Sequence, residues 1–159
     1  MTIYGYQYSI TGTFGYEYYA GKKKVCSTSE QIIPRAPVSI NGFGHRWLSD
    51  FDREITHIPG QKLTISDLDT GKAVASLVFN DFFVTELKCG KETVTAIENL
   101  AGFEFRRGRR RIAISKRYPK GAQPRELYGT KAPAYFAVDF LENLSREMVL
   151  FILALPGLK

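Results

Sequence analysis

Two cysteines, two histidines and one tryptophan in 159 residues leave little of the chemistry on which metal centres and hydrolases are built. Cys26 and Cys89 lie far apart and outside any CxxC spacing. They indicate neither a zinc site nor a disulfide framework, and two reduced, buried thiols are expected. His45 and His57 fit neither an HExxH pair nor another recurrent ligand spacing. No glycine-rich phosphate loop, nucleophile elbow, internal repeat, heptad or low-complexity tract is present, and no apolar run approaches the ~20 residues of a membrane-spanning helix. The opening stretch MTIYGYQY has neither a charged start nor an apolar core, so no secretory leader is expected. A cytoplasmic setting follows as the default, with a peripheral position at a membrane surface left open.

What is present is strand-forming. Hydrophobic residues make up 44% of the chain and aromatics 13%, which suits one packed domain over residues 1–159. Tyr-rich stretches at 3–10 and 14–19 are punctuated by Gly5, Gly12 and Gly15, a pattern of paired, bending strands. A strand over 24–29 follows, then a break at Pro34 and Pro37, a turn at Asn41-Gly42, and weaker strands over 46–50 and 53–58. From 61 onward the signal sharpens into three hairpins, with loops at 68–72, 89–91 and Arg107-Gly108. After a loop over 121–133 comes an alternating strand, YFAVDFLE, at 135–142. About a dozen strand candidates with almost no amphipathic helical window predict an antiparallel β-barrel or sandwich.

Residues 148–155, MVLFILAL, are apolar at every position, so they must be surrounded by apolar groups on all sides. The run is only ~12 Å long as a helix, too short to cross a bilayer. Asn143 or Ser145 can cap a helix, Glu147 suits its first turn and Pro156-Gly157 can end it, which places a buried helix over about 144–155. Periodicity alone leaves a buried terminal strand open. A barrel of about twelve strands is wide enough to enclose such a helix, whereas eight strands would be filled by their own side chains. The expected fold is therefore mainly β: a closed antiparallel barrel of about twelve strands around a hydrophobic C-terminal helix.

The hairpin LTISDLDTGKAVASL at 63–77, together with YFAVDF at 135–140 and MVLFILAL at 148–155, resembles the tubby C-terminal-like superfamily, which includes LURP-one-related and phospholipid-scramblase-type proteins. The likeness is to an order of elements over 61–159. It implies a twelve-stranded barrel threaded by a C-terminal helix and binding of phosphoinositides or membrane surfaces. No cysteine cluster for lipidation and no acidic calcium loop accompanies it, and no phosphoinositide motif aligns to particular positions.

Between positions 106 and 131 lie 10 of the 22 Lys and Arg residues but only one of the 16 Asp and Glu residues, Glu126. That segment has a balance of +9 and the rest of the chain −3, as expected of a localised anion-facing patch. Strand alternation places Arg110, Ile112, Ile114 and Lys116 on one side and Arg109, Arg111, Ser115 and Arg117 on the other, with Arg106 and Arg107 across the turn. Guanidinium groups converging at a hairpin suit phosphate, so Arg106, Arg107, Arg109, Arg111 and Arg117 form the candidate anion site. A solvated edge that blocks unwanted strand pairing explains the same charges. Tyr118 and Tyr128 beside the patch offer a weaker case for nucleic acid, while Phe103 and Phe105 read as core.

His45 with Asp50, Asp52 and Glu54 has the composition of an acid/base pair or of a solvated loop. Asp67 and Asp69 are turn formers, and Asp139 is expected to face outward. No catalytic residue, metal or cofactor is assigned. The expected function is a non-enzymatic module that engages an anionic partner, such as phosphorylated lipid headgroups, through the basic hairpin. A lipocalin-like carrier and a nucleic-acid-binding β protein are the alternatives. An empty or a filled lumen separates the carrier from the first reading.

Overall fold

The computed structural model of the chain describes residues 1–10, 12–31, 36–52 and 59–158. Twelve strands form: β1 (Thr2–Tyr8), β2 (Gly15–Ala20), β3 (Lys23–Thr28), β4 (Val38–Gly42), β5 (His45–Phe51), β6 (Gln61–Asp67), β7 (Ala73–Phe79), β8 (Val84–Cys89), β9 (Glu92–Asn99), β10 (Gly102–Arg107), β11 (Arg110–Arg117) and β12 (Tyr135–Phe140). They close as an antiparallel barrel in which each strand pairs with its neighbours in sequence, and β12 returns to β1 through Thr2↔Asp139 and Ile3↔Val138. The Met1 amino group donates to the Phe140 carbonyl at 3.1 Å, tying the seam shut. One helix follows, α1 (Arg146–Leu158).

Alternation along the strands gives the barrel its two surfaces. On β6, Leu63 and Ile65 are buried while Lys62 and Thr64 point out. Along the outer wall stand Glu17, Lys24, Lys62, Glu86, Lys88 and Glu104, a water-facing set unlike the apolar band of a lipid-embedded barrel. Inside, α1 fills the lumen. Residues 148–155, Gly157 and Leu158 are all buried, so the helix is covered on every face. Phe151 meets Trp47 edge-on with centroids 5.8 Å apart, and the Cys26 thiol lies 4.0 Å from the Leu150 carbonyl. Burial pushes the Cys26 thiol far up, which leaves it protonated and inert. The Ser145 hydroxyl accepts the Met148 amide at 3.2 Å, the expected cap.

Several expectations shift. The turn placed at Asn41-Gly42 lies at Phe43-Gly44, both at positive φ, and Asn41 and Gly42 complete β4, a strand the sequence reading did not contain. The strand expected over 53–58 lies outside the described residues, and the barrel closes without it. The helix does not stop at Pro156 but runs through it to Leu158. The proline falls in the last turn, and Gly157 is there for space: a Cβ would lie 2.9 Å from the Thr28 hydroxyl and 3.1 Å from the Tyr16 ring. The glycines of β1 and β2 are likewise sites of close approach. Tyr18 covers Gly5 and Tyr8 covers Gly15, each the direct cross-strand partner. Asp139 does face outward, where it accepts the Thr2 hydroxyl at 3.2 Å.

Gly42 is the tightest contact between wall and helix. A Cβ there would lie 2.1 Å from a Leu150 methyl and 2.5 Å from the Val25 carbonyl oxygen. The methyl can turn away, but the carbonyl belongs to the wall. Gly42→Ala is therefore expected to destabilise by about 1–3 kcal/mol, read from a shifted urea midpoint. An unchanged midpoint would mean that the helix has room to move.

Candidate functional site

The basic hairpin β10–β11 lies at the end of the barrel where α1 enters, and its arginines are largely spoken for. Glu104 accepts Arg106 Nε at 2.6 Å and Arg111 Nε at 3.1 Å. Arg107 reaches Glu92 at 3.3 Å and Glu142 at 3.9 Å, and Arg110 reaches Glu142 at 2.7 Å. The Arg106 guanidinium, with Arg111 beside it, holds the Glu104 carboxyl below the usual carboxylate range. The sign is that of a depressed acid: the pairing is complete above the ordinary carboxylate value and lost as pH falls through the lowered one. Arg106→Gln is expected to move the Glu104 titration back up, which carboxyl NMR can follow. No movement would mean that the two side chains do not pair in solution. Of the five candidates, Arg109 alone stands on the turn exposed and with no ion pair shown.

Arg117 belongs to a different place. The register of β10 and β11 slips between Phe105 and Arg106, which pair with Ala113 and Arg111 and leave Ile112 as an extra residue. Ile112 and Ala113 are consequently both buried. Beyond this bulge Ser115 is buried and Arg117 lines the barrel mouth, while Arg111 is outside with Glu104. Arg111 and Arg117 thus do not share a face as strict alternation predicts, and six residues of strand separate them by ~20 Å.

The end where α1 finishes has its own chemistry. Among the described residues the buried polar or charged side chains are Gln7, Thr28, Ser49, Gln61, Thr85 and Ser115. Each lies no more than two residues from the strand end on this side. Gln7 Nε2 donates to the Tyr16 hydroxyl at 3.0 Å, and the Thr28 hydroxyl accepts the Tyr16 amide at 3.2 Å. Gln61 Nε2 and Thr85 Oγ1 are buried with no partner among the described residues. Burial pushes the Tyr16 phenol up, against smaller opposing effects of Gln7 and Arg117, so it stays a neutral hydrogen-bonding group.

Two pockets open here and share Leu100 and Arg117 as a common wall. The inner one, about 360 Å³, is lined by Gln7, Tyr16, Ser115, Phe103, Phe136 and Pro156 among others, and has one acid, Glu98. The outer one, about 750 Å³, runs along the connection from β11 to β12 and includes Arg117, Lys120 and Lys131 with Tyr118 and Tyr135. Among the described residues no acid lines the outer pocket. The single 3₁₀ turn Arg125–Leu127 and the Gln123 amide, which donates to the Leu127 carbonyl at 2.9 Å, shape this connection. Gly102 closes the tight turn before β10 at φ +145°, and a Cβ would lie 2.1 Å from the Ser115 carbonyl oxygen. Only glycine fits there.

The other sequence candidates do not assemble. His45 begins β5 and packs on Trp47 with centroids 5.4 Å apart, whereas Asp50 and Asp52 lie towards the opposite end, ~17 Å or more along the strand. Glu54 and His57 lie outside the described residues. Tyr128 is exposed, Tyr118 lines the outer pocket, and Phe103 and Phe105 are core. Among the described residues no group of three His, Cys, Asp or Glu side chains could hold a metal ion, and no helix is long and apolar enough to cross a membrane. The polar mouth escaped the sequence reading because its residues come from seven strands. Arg117 and the C-terminal part of the basic 106–131 tract were the only local signal. No family model, curated protein or solved structure matches this chain.

Proposed function

We propose that this protein is a non-enzymatic binding module that engages a phosphate-bearing anionic partner, with lipid headgroups as the partner class, at the barrel mouth around Arg117. One observation carries the reading: Arg117, Lys120 and Lys131 line a single pocket in which no described residue is an acid, while four of the hairpin arginines are compensated by Glu92, Glu104 and Glu142. Uncompensated cations around a concave site attract multiply charged anions, and the arginine adds a planar two-pronged donor. The helix-filled lumen weighs against a lipocalin-like carrier, since the apolar cavity such a carrier needs is occupied by α1. The helix-threaded barrel has the architecture that a tubby-like resemblance implies, and membership of that superfamily is part of the proposal.

Titration with inositol hexakisphosphate and with vesicles containing anionic lipid, at low salt, tests this. The triple variant R117Q/K120Q/K131Q is expected to weaken both by at least about tenfold, since each charge-assisted contact is worth roughly 1.5–3 kcal/mol. R106Q/R109Q/R111Q is expected to change either by less than about threefold. The reverse ranking would return the site to the hairpin, and no binding by the parent protein would remove the reading.

A further inference from the structure

The structure points to a bilayer-inserting rim: we propose that loop tips around the same mouth enter the interface of an anionic membrane, so that the barrel stands on it with α1 finishing towards the lipid. The proposal deepens the mouth reading above but rests on other residues.

At this end Phe82 is 67% exposed, and Ile10, Phe83, Leu100 and Tyr128 protrude with relative exposures of 84%, 63%, 109% and 70%. Each of the last four belongs to a different connection, and those connections are β1–β2, β7–β8, β9–β10 and β11–β12. In the barrel order β2-β1-β12-β11-β10-β9-β8-β7 these are four successive connections around one side of the rim. At the opposite end Met1 is 67% exposed, but Phe43, Leu68 and Leu141 are each more than half covered, and the Arg146 guanidinium lies over the Phe43 ring at 5.6 Å.

Built turns hold the tips out. The Asp81 carboxylate accepts the amides of Phe83 and Val84, both at 2.7 Å. Asn99 Oδ1 accepts those of Ala101 and Gly102 at 2.9 and 3.1 Å, with Leu100 between them. The Glu30 carboxylate accepts the Ile10 amide and the Thr13 hydroxyl. A loop that spends its hydrogen bonds on holding an apolar side chain in water presents that side chain to something.

Charge selects the occupant. Arg117, Lys120, Arg125 and Lys131 stand on or beside the β11–β12 connection, in which Glu126 is the single acid. A two-fold pairing with a second copy would set these cations against their own equivalents. An anionic bilayer offers opposite charge at the headgroups and an apolar layer a few ångströms deeper, and it adapts to separate tips where a protein partner would need a continuous patch.

The test uses vesicles of phosphatidylcholine with 30% phosphatidylserine, inositol hexakisphosphate as a soluble probe, and the variant I10S/F83S/L100S. The changed residues are exposed, so its melting temperature should match the parent's. Vesicle partitioning is expected to fall at least tenfold while affinity for the soluble probe is kept. Leu100→Trp should be quenched by lipids brominated on the acyl chain, whereas Trp47, buried near the opposite end, should not. Parent-like partitioning of the tip variant, or an unquenched Leu100→Trp, overturns insertion and leaves the anion site standing. Loss of the soluble probe through R117Q/K120Q/K131Q is the separate test of that site. A parent dimer in the absence of lipid that the tip changes dissolve would assign the rim to a second copy and overturn the proposal.

Discussion

Removing residues 148–159 is expected to leave a chain with no cooperative melting transition, and Phe151→Ala is expected to cost about 3–5 kcal/mol. The reason is geometric. The inward side chains of twelve strands surround α1, and Phe151, Leu150, Leu153 and Leu155 are fully buried against them. A smaller barrel could collapse onto a truncated core, but strand number and stagger fix this diameter. The space vacated by the helix would flood or close, and either outcome breaks the seam between β1 and β12. Leu153→Ala should cost about 2–5 kcal/mol by the same argument. Denaturant and thermal melts of the three proteins check this. A truncated chain that melts cooperatively near the full-length temperature would mean that the barrel stands without its helix.

The fold was legible where local chemistry and tertiary demand agree. The 63–77 hairpin has alternation and a turn-forming loop, and β6 and β7 follow it closely. The apolar run at 148–155 announced an enclosed helix because no exposed element can be apolar all round. Legibility failed where a third element decides. β4 is short and follows two prolines, and it exists because β3 and β5 hold its edges. Pro156 reads as a stop, yet the mouth packs around Gly157 and keeps the last turn helical. The bulge at Ile112 has no local signature, and it puts Arg117 on a different face from Arg111, on top of the length of strand between them. Composition located the basic tract but could not tell a compensated arginine from a free one, because Glu92 and Glu142 come from other strands or loops. The exposed tips were invisible for a related reason: Leu100 is an ordinary apolar residue until its turn is known to face away from the core.

Binding to polyanions is expected to divide sharply between membranes and duplex DNA, by more than tenfold at matched salt. Both partners are dense in phosphate and both lose affinity as salt screens the contacts. They differ in shape. The Arg117 pocket is compact, with three basic residues in its lining, and the Leu100 and Tyr128 tips protrude beside it. A rigid duplex meets those tips before its phosphates reach the pocket, whereas a lipid headgroup enters while the tips enter the bilayer. Counterion release gives a log–log salt slope of about −0.9 per duplex phosphate contacted, so three contacts set a limit near about −3. Vesicles that cluster several phosphates on one headgroup should bind better than vesicles of equal charge density carrying single phosphates, since one clustered group can meet Arg117, Lys120 and Lys131 together. Titrating the protein against duplex and both vesicles over a salt series gives the slopes and the ranking. Tight duplex binding with a slope of about −6 or steeper would require a track of cations longer than this mouth provides. It would make nucleic acid the partner, with the hairpin arginines recruited to extend the contact.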